Sequence, residues 1–317
     1  MRSLFVMDPL ENLHVEGDST YVTMRECCDR GFEVWMCTPS ELFALNGSVY
    51  AVARKVHVTA KAPFFEQSES KDLALDSMDV VWMRKDPPFD MSYIFATYLL
   101  DMTSESTLVV NGSYGLKLFN EKIWVQQSFA QFHPETLLSS DQTRLRAFVE
   151  ERQGKTVLKP WDGNGGRGVV VTGPGDRNLN SVLDLLTQDG NESVIAQAFV
   201  EGVEKGDKRI LIFDGEPVGC LLRVPTAGDH RANIHVGATV TSAGLSARDK
   251  EVCDALRPHL QRWDQVFVGI DMIDGYLTEI NVTSPTGIRE INRLDGVRLE
   301  ASLVDCVLSK LETGRVA

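Results

Sequence analysis

Two residues in the last part of the sequence have the chemical types and the spacing of a metal site. Glu279 and Asn281 stand two positions apart in an alternating apolar stretch, 277–282, which is typical of a strand, so both side chains point to one face. A carboxylate and an amide oxygen side by side suit a hard cation such as Mg²⁺ that also holds substrate phosphates. The alternative interpretation is a polar, solvent-facing side of an edge hairpin.

Whether Asp271 is a third ligand depends on the turn that follows it. A two-residue turn at 274–275 would place Asp271 opposite Thr278, on the face away from Glu279. A three-residue turn at 273–275, with its glycine in the left-handed conformation, would bring all three oxygen-bearing side chains to one face. We predict the three-residue turn.

A glycine-rich loop earlier in the chain has the composition of a phosphate-binding loop. The segment 157–171 consists of a strand, a loop with four glycines and a second strand. Backbone amides of such a loop can approach phosphate oxygens closely, and Lys159 at the end of the first strand adds a positive charge. Because a β-branched run rather than a helix follows the glycines, this is neither a Walker loop nor a dinucleotide-binding motif. A hairpin turn without a ligand explains this loop equally well when it is considered by itself.

Several polar residues could stabilise the charge that develops on a transferring phosphoryl group. They are Arg209, which follows Asp207 and Lys208, then Arg223, and finally Arg231 and Asn233 in a predicted flexible loop, 224–237. Arg84, at the end of a strand, could grip a substrate carboxylate with its two-pronged guanidinium group. Solvated surface charges, and pairing of Arg84 with a neighbouring aspartate, are the alternatives.

The elements that must position these residues change in character along the chain. In the first third, apolar strands alternate with helical segments, which predicts a mostly parallel sheet covered on both faces. The expected strands are 3–7, 32–37, 79–84 and 107–111, and the expected helices are 19–30, 94–102 and 113–127. Paired strands give the second half an α+β character, at 157–171, 193–200, 209–213 and 217–224.

The composition excludes several classes of protein. With 32 basic and 45 acidic residues the net charge is −13, so we expect no nucleic-acid partner. No apolar run is long enough to span a membrane and the six cysteines show no CxxC pair, so we expect a cytoplasmic protein with reduced thiols and no membrane association. The six histidines lack ligand spacing and are expected to be surface or packing residues.

Taken together and in order, these segments resemble the bacterial glutathione synthetases of the ATP-grasp superfamily over nearly the whole chain. The resemblance is carried by short motifs at 6–9, 83–90, 120–122, 158–160, 206–209, 214–217 and 277–286. It implies an α/β and α+β protein, with an N-terminal parallel-sheet substrate domain followed by an ATP-grasp fold of two α+β subdomains. The implied boundaries are 1–121 for the N-terminal domain, 122–200 for the lid subdomain and 201–317 for the C-terminal subdomain with the metal site.

The resemblance also implies the reaction. ATP would phosphorylate a carboxylate of γ-glutamylcysteine, and the amine of glycine would then attack the acyl phosphate to give glutathione, ADP and phosphate. Because an acyl phosphate hydrolyses in water, the site needs a lid, and the loop 224–237 is the expected one. Two Mg²⁺ ions, or Mn²⁺ in their place, and a homodimer or homotetramer are implied as well. The alternatives are a related ligase for a different peptide or amine, and a non-catalytic ATP-binding scaffold.

The same resemblance assigns roles to individual residues. It implies ATP contacts for Lys122, Lys159, Gly163, Asn164, Gly165, Gly166, Gln197, Ala198, Phe199, Val200 and Asp207. It implies a catalytic role at the reacting phosphoryl group for Arg209, Arg223, Arg231 and Asn233, and contacts with the peptide and glycine for Arg84, Ser284, Thr286 and Arg289. The metal ions would be held by Asp271, Glu279 and Asn281.

Overall fold

The N-terminal part of the chain forms an eight-stranded sheet in the computed structural model, which describes residues 1–163, 166–225 and 239–314. Its strands are β1 (Arg2–Val6), β2 (Glu33–Cys37), β3 (Leu42–Leu45), β4 (Ser48–Val58), β5 (Phe65–Gln67), β6 (Lys71–Ala74), β7 (Val80–Met83) and β8 (Leu108–Val110). Three helices accompany them, namely α1 (Ser19–Asp29), α2 (Met91–Leu100) and α3 (Ser113–Leu118).

Half of this sheet is parallel, as the alternation of strands and helices predicts. Strands β2, β1, β7 and β8 lie side by side in that order and run in the same direction. Strand β4 continues the sheet beyond β2 in the antiparallel sense and pairs with β3, β5 and β6. The sequence pattern did not predict these antiparallel additions, so the prediction of a mostly parallel sheet holds for β2, β1, β7 and β8.

The prediction of one continuous helix at 113–127 is wrong. The chain forms α3 and then, after a break, a second short helix, α4 (Trp124–Ser128). In the break, the side-chain oxygen of Asn120 accepts hydrogen bonds from the backbone amides of Lys122 (3.1 Å) and Ile123 (3.0 Å). An asparagine bonded in this way competes with the helical hydrogen-bond pattern and turns the chain.

The middle of the chain forms a four-stranded antiparallel sheet with two helices. Its elements are β9 (Thr136–Ser139), α5 (Gln142–Glu151), β10 (Thr156–Pro160), β11 (Val170–Thr172), α6 (Leu179–Thr187) and β12 (Val194–Ala198). The strand order is β11-β10-β12-β9, so β10 lies beside β12 and the glycine-rich loop joins β10 to β11. The strand, loop and strand predicted at 157–171 are therefore confirmed.

The last part of the chain forms a five-stranded antiparallel sheet in the order β15-β14-β13-β16-β17. Its elements are β13 (Asp207–Phe213), β14 (Glu216–Val224), β15 (Thr239–Ser242), α7 (Ala247–Arg262), β16 (Phe267–Ile273), β17 (Tyr276–Asn281), α8 (Ile288–Asp295) and α9 (Leu299–Glu312). Strand β13 lies between β14 and β16, so its side chains can meet residues from both neighbours. The described residues contain no helix that is long and apolar enough to cross a membrane.

The apolar residues of two of the sheets pack into common clusters, whereas those of the third sheet form a cluster of their own. Two large buried clusters each combine side chains of the eight-stranded sheet with side chains of the five-stranded sheet, for example Val6 with Ile270 and Phe5 with Phe267. The four-stranded sheet has a separate, smaller core around Leu145. Helix α4 contributes to the first of the shared clusters. The four-stranded sheet is therefore the part of the fold with the most independent packing.

Candidate active site

A cavity of about 820 Å³ is lined by residues of the four-stranded and five-stranded sheets and by residues that lie between elements of the N-terminal part, such as Asp18 and Asp86. Most of the described residues that the sequence predicted as site residues line it: Lys122, Lys159, Gly163, Gly166, Gln197, Ala198, Phe199, Val200, Asp207, Arg209, Arg223, Asp271, Glu279, Asn281, Ser284 and Thr286. Four further predicted residues, Asn164, Gly165, Arg231 and Asn233, lie outside the described residues, as does nearly all of the expected lid loop 224–237.

The turn between β16 and β17 is shorter than predicted. Ile273 pairs with Tyr276, so the loop has two residues, Asp274 and Gly275, which both adopt positive φ values (48° and 80°) as a tight hairpin turn requires. Our prediction of a three-residue turn is therefore wrong. The turn alone therefore does not explain why Asp271 and Glu279 share one face of the hairpin.

A β-bulge in β17 brings the three predicted metal ligands to one face. The register shifts by one residue after the turn, so that Thr278 is the extra residue and Asp271 pairs with Glu279 instead. The hydroxyl of Thr278 donates to the backbone carbonyl of Asp271 (3.0 Å), and the amide nitrogen of Asn281 donates to the Asp271 carboxylate (3.2 Å). The predicted placement is reached by a bulge in the strand rather than by a longer turn.

Two arginines hold the Asp271 carboxylate. Arg209, on β13, donates through Nε (2.5 Å) and Nη2 (2.9 Å), and Arg223, on β14, approaches to 2.9 Å. Burial would raise the pKa of Asp271, but these two guanidinium groups outweigh it and hold the pKa well below its usual value. Arg223 also contacts Asp207 at 2.5 Å. Burial raises the pKa of Asp207 to about 7, against the opposing effect of Arg223.

Lys122 links the metal-site strand to the glycine-rich loop. Its ammonium group donates to the Glu121 carboxylate (2.8 Å) and to the carbonyl of Gly163 (2.7 Å), and lies 3.5 Å from Glu279. Burial would lower the pKa of Lys122, but Glu279 and Glu121 outweigh it and raise the pKa above its usual value. The side chain is therefore a buried, permanently charged cation at the entrance to the loop.

Lys159 is also buried but, unlike Lys122, makes no ion pair among the described residues. Its ammonium group donates to the side-chain oxygen of Gln197 (3.2 Å), on the neighbouring strand β12. Burial is the largest effect on this group and lowers the pKa of Lys159, while Glu279 acts in the opposite direction. A negatively charged ligand in the cavity would offset this desolvation and restore a fully charged lysine.

Two residues predicted to contact the peptide do not line the cavity. The guanidinium group of Arg84 is buried above the ring of Phe267 and donates to the hydroxyl of Thr20 (3.0 Å) and to the carbonyl of Pro285 (3.0 Å). Arg289 donates to the backbone carbonyl of Val15. The prediction that Arg84 and Arg289 contact the peptide and glycine stays a prediction. Their contacts show that they anchor the backbone that surrounds the cavity.

The oxygen donors at the hairpin fit a magnesium ion better than they fit a zinc ion. The described residues contain no group of three or more His, Cys, Asp or Glu side chains that could hold a metal. The set at the hairpin is two carboxylates and one amide, which suits Mg²⁺ because this ion keeps water and substrate phosphates among its ligands. Glu279 has 29% of its side chain exposed, whereas Asp271 is buried. Asp271 would share its carboxylate with the two arginines.

Sequence reasoning missed several cavity residues. Glu121, Asp86 and Glu290 line the cavity, and His133 lies behind it. Glu121 and Asp86 belong to the sequence motifs 120–122 and 83–90, which also contain the predicted site residues Lys122 and Arg84. Their position in these motifs could therefore have indicated that they lie near the site. Nothing in the local sequence distinguishes Glu290 from a surface residue of a helix, or His133 from a packing residue.

Comparisons with known proteins agree with this geometry. The family models "Prokaryotic glutathione synthetase, N-terminal domain" and "Prokaryotic glutathione synthetase, ATP-grasp domain" match residues 1–117 and 121–296. The glutathione synthetase of Synechocystis is 41% identical over 98% of this chain and 99% of its own length. The glutathione synthetase of Brucella melitensis is 42% identical over 95% of this chain and 96% of its own length.

Solved structures share the fold at much lower sequence identity. The D-cycloserine synthetase DcsG superposes with a TM-score of 0.67 at 14% identity, covering 98% of this chain and 99% of that one. The ATP-grasp ligase PsnB, complexed with a minimal precursor, superposes with a TM-score of 0.64 at 16% identity, with the same coverage. These structures establish the ATP-grasp fold, whereas the curated relatives and the family models establish more: the chain belongs to the prokaryotic glutathione synthetase family of ATP-dependent ligases.

Proposed function

We propose that this ligase makes glutathione in the described cavity, from γ-glutamylcysteine, glycine and ATP. The peptide carboxylate attacks the γ-phosphorus of ATP, the bond to the ADP oxygen breaks, and an acyl phosphate forms. The amine of glycine then attacks the acyl carbon, phosphate leaves, and the ammonium proton is lost to solvent or to a base. One observation supports the proposal most strongly: four buried cations line the same cavity as an oxygen-rich hairpin. The cations are Lys122, Lys159, Arg209 and Arg223, and the oxygen-bearing residues of the hairpin are Asp271, Glu279 and Asn281.

The nucleotide is proposed to lie between the four-stranded and five-stranded sheets. Lys122 and Lys159 would bind its phosphates, and the loop 163–168 would close over them, because Lys122 already bridges this loop to the hairpin. The backbone of 197–200 would meet the adenine, and Asp207 would face the ribose. Both segments line the cavity.

Magnesium is proposed to bind at the hairpin, as two ions held by Asp271, Glu279 and Asn281, with Mn²⁺ as a substitute. When bound, such ions neutralise charge on the phosphate oxygens. The chain itself supplies Arg209 and Arg223, whose guanidinium groups lie beside Asp271 and can stabilise charge on the transferring group. Arg231 and Asn233 are proposed to act at the same centre.

The peptide and glycine are proposed to bind at the end of the cavity lined by Ser284 and Thr286. The carbonyl of Pro285, between these residues, is held by Arg84, and the carbonyl of Thr286 accepts from Arg209 (3.3 Å). The segment is thus held by Arg84, which follows β7, and by Arg209 on β13. A fixed segment of this kind can orient an acceptor carboxylate for in-line attack.

We also propose a separate role for each of the three parts of the chain. Residues 1–121, 122–200 and 201–317 would act as the peptide-binding, lid and metal-binding units. We also propose that the protein works in the cytoplasm, which its six free thiols support, and that it forms a homo-oligomer.

The decisive experiment measures ADP release with γ-glutamylcysteine and glycine against other acceptor and amine pairs. Turnover that needs both compounds, together with glutathione detected by mass spectrometry, is the expected result. Turnover with a different peptide or amine but none with this pair would assign the cavity to another ATP-grasp ligase. Binding of ATP without turnover on any pair would point to a scaffold.

A further inference from the structure

His133 connects two sheets at a point directly behind the nucleotide-binding side of the cavity. Its ring is 7% exposed and lies between β17 and β12. On one side, Nδ1 is 2.5 Å from the backbone carbonyl of Leu277, and on the other side Nε2 is 2.9 Å from the side-chain nitrogen of Gln197. His133 is not among the residues that line the cavity in the described part of the chain, so it does not touch a bound substrate.

The two contacts determine which nitrogen of the ring carries the proton. A carbonyl oxygen can only accept, so Nδ1 of His133 must donate to Leu277. In the neutral ring Nε2 is then an acceptor, and the group that faces it must be a donor. The pKa of His133 is lowered to about 4, chiefly by burial, which agrees with a neutral ring.

The neutral ring in turn fixes the orientation of the Gln197 amide. Because Nε2 of His133 accepts, the nitrogen of the amide points to the histidine and its oxygen points the other way. That oxygen lies 3.2 Å from the ammonium group of Lys159. Thr136 also accepts from the same amide nitrogen (3.0 Å), and its own hydroxyl hydrogen is donated to the carbonyl of Pro134 (2.7 Å), so it favours the same orientation of the amide.

We propose that His133 is a positioning residue for Lys159 and acts through the Gln197 amide. The inference rests on the proposed function of Lys159 as a ligand of the ATP phosphates. With the amide held in one orientation, its oxygen takes one of the three ammonium hydrogens and leaves two for phosphate oxygens. In the reversed orientation the amide would present hydrogens to the ammonium group, and the buried lysine would lose its hydrogen-bonded partner.

Two replacements of His133 separate its two contacts. His133→Asn can keep a donor near the Nδ1 position for Leu277 but offers no acceptor to Gln197. His133→Gln can reach the Nε2 position and offer an oxygen to Gln197. We expect the KM for ATP to rise about tenfold in His133→Asn, the size of one lost hydrogen bond to a charged group. The KM values for γ-glutamylcysteine and glycine should stay unchanged, and His133→Gln should restore most of the affinity for ATP.

Gln197→Leu provides a second route to the same contact. It removes the amide altogether, so its effect on the KM for ATP should match that of His133→Asn, and the double variant should be no worse than either single one. This variant also keeps the test available if His133→Asn does not fold. Equal losses in His133→Asn and His133→Gln, or equal increases in all three KM values, would reveal a purely structural role and overturn the inference.

Lys159→Met distinguishes failure of this inference from failure of the proposed function. Binding of a non-hydrolysable ATP analogue with Mg²⁺ is measured by calorimetry for Lys159→Met and His133→Asn. Weaker binding in both variants supports the inference. Weaker binding in Lys159→Met alone would overturn the role of His133. Unchanged binding in Lys159→Met would overturn the role of Lys159 itself, and the inference with it.

Discussion

Asp271 lies directly opposite Glu279 on neighbouring strands, and a single extra residue in the second strand makes this pairing possible. Without the bulge at Thr278, the two-residue turn would leave Glu279 on the opposite face. Bulges often re-aim side chains beside active sites. The bulge therefore determines whether the proposed metal ligands share one face of the hairpin.

Glu279 is the proposed metal ligand whose loss should separate chemistry from folding. Glu279→Gln keeps the shape of the side chain but removes its charge, and Lys122 retains Glu121 as a partner (2.8 Å). We expect kcat at saturating Mg²⁺ to fall by at least about a hundredfold. The free energy of unfolding should change by less than about 1 kcal/mol. Steady-state kinetics over a range of Mg²⁺ concentrations, with denaturant unfolding, measures both quantities.

Glu216→Gln is the matched control for this change. Glu216 is an exposed carboxylate on the same sheet, paired with Arg257 at 2.9 Å and absent from the cavity lining. Its variant should have wild-type kinetics. A fully active Glu279→Gln would contradict our assignment of the metal ligands.

Arg84 should affect the peptide and glycine without affecting ATP. Arg84→Met fills a similar volume but loses the hydrogen bonds to Thr20 and Pro285. We expect the KM values for the peptide and glycine to rise about fivefold to tenfold, and the free energy of unfolding to fall by about 1–3 kcal/mol. Initial-rate kinetics with each substrate varied in turn checks the pattern.

Arg25→Met is the corresponding control, because Arg25 makes an exposed ion pair with Asp29 at 3.6 Å. An exposed pair of this kind contributes less than about 1 kcal/mol. An Arg84→Met enzyme with a raised KM for ATP alone would disagree with the anchoring role.

Stability should depend on pH through His133. Burial lowers its pKa to about 4, the hydrogen bond to Leu277 opposes this, and the charge of Lys159 lowers it further. A histidine in the unfolded chain titrates near about 6.5, so between these values the unfolded state binds more protons. The free energy of unfolding therefore falls as the pH falls from about 6.5 to about 4, with a contribution from this ring of up to about 3 kcal/mol.

His133→Gln removes the titrating ring and should flatten the pH dependence in this window. The measurement is denaturant unfolding of the wild type and the variant between about pH 4.5 and 7.5, which covers most of the range in which this ring titrates. The difference between the two proteins gives the contribution of His133, because both contain the other histidines. Parallel curves for the two proteins would show that His133 is not buried in its neutral form.

Close packing at Gly115 should make this position intolerant of a side chain. A Cβ there would overlap the side-chain amide of Gln265 and lie 2.9 Å from the carbonyl oxygen of Trp263. That amide already donates to the carbonyls of Gly112 (2.9 Å) and Trp263 (2.7 Å), so it cannot move without losing both bonds. We expect Gly115→Ala to lower the free energy of unfolding by about 1–3 kcal/mol.

Gly244→Ala is the control for this prediction, because a Cβ at Gly244 meets no atom within 4 Å and no positive φ is required. It should leave stability within about 0.5 kcal/mol of the wild type. Thermal and denaturant unfolding compare the two. Equal stability of both variants would show that α3 and the segment 263–265 are not tightly packed at this point.

The exposed apolar face of α2 and α3 should form the contact between subunits. Met91, Phe95, Tyr98 and Tyr114 are between 54% and 75% exposed, and Lys117 lies over the rings of Tyr98 (4.9 Å) and Tyr114 (4.6 Å). Exposed patches of this kind mark interaction sites. We expect Phe95→Glu to reduce the molar mass measured by light scattering, whereas Leu185→Glu, at an exposed site on α6, should not. If Phe95→Glu has the same molar mass as the wild type, this face is not the contact between subunits.

Local patterns in the sequence predicted the strands and the polar face of the hairpin because both depend on near neighbours. Strands β10 and β12, with the loop after Lys159, follow directly from their apolar runs and glycines. The bulge at Thr278 could not be predicted, because a two-residue turn with a bulge and a three-residue turn place the same side chains on one face. The position of Arg84 depends on residue 285, far away in the chain, and the role of His133 depends on two distant strands.

The division of the apolar residues into two shared clusters and one separate cluster determines which parts of this enzyme can evolve independently. The eight-stranded and five-stranded sheets are packed through common clusters, so a change in either must be matched in the other. The core around Leu145 and Leu183 is confined to the four-stranded sheet and its helices α5 and α6. Recombination between related ligases should therefore succeed most readily when this sheet is exchanged as a unit, and a hybrid would keep its amine and peptide preference while acquiring a new affinity for the nucleotide.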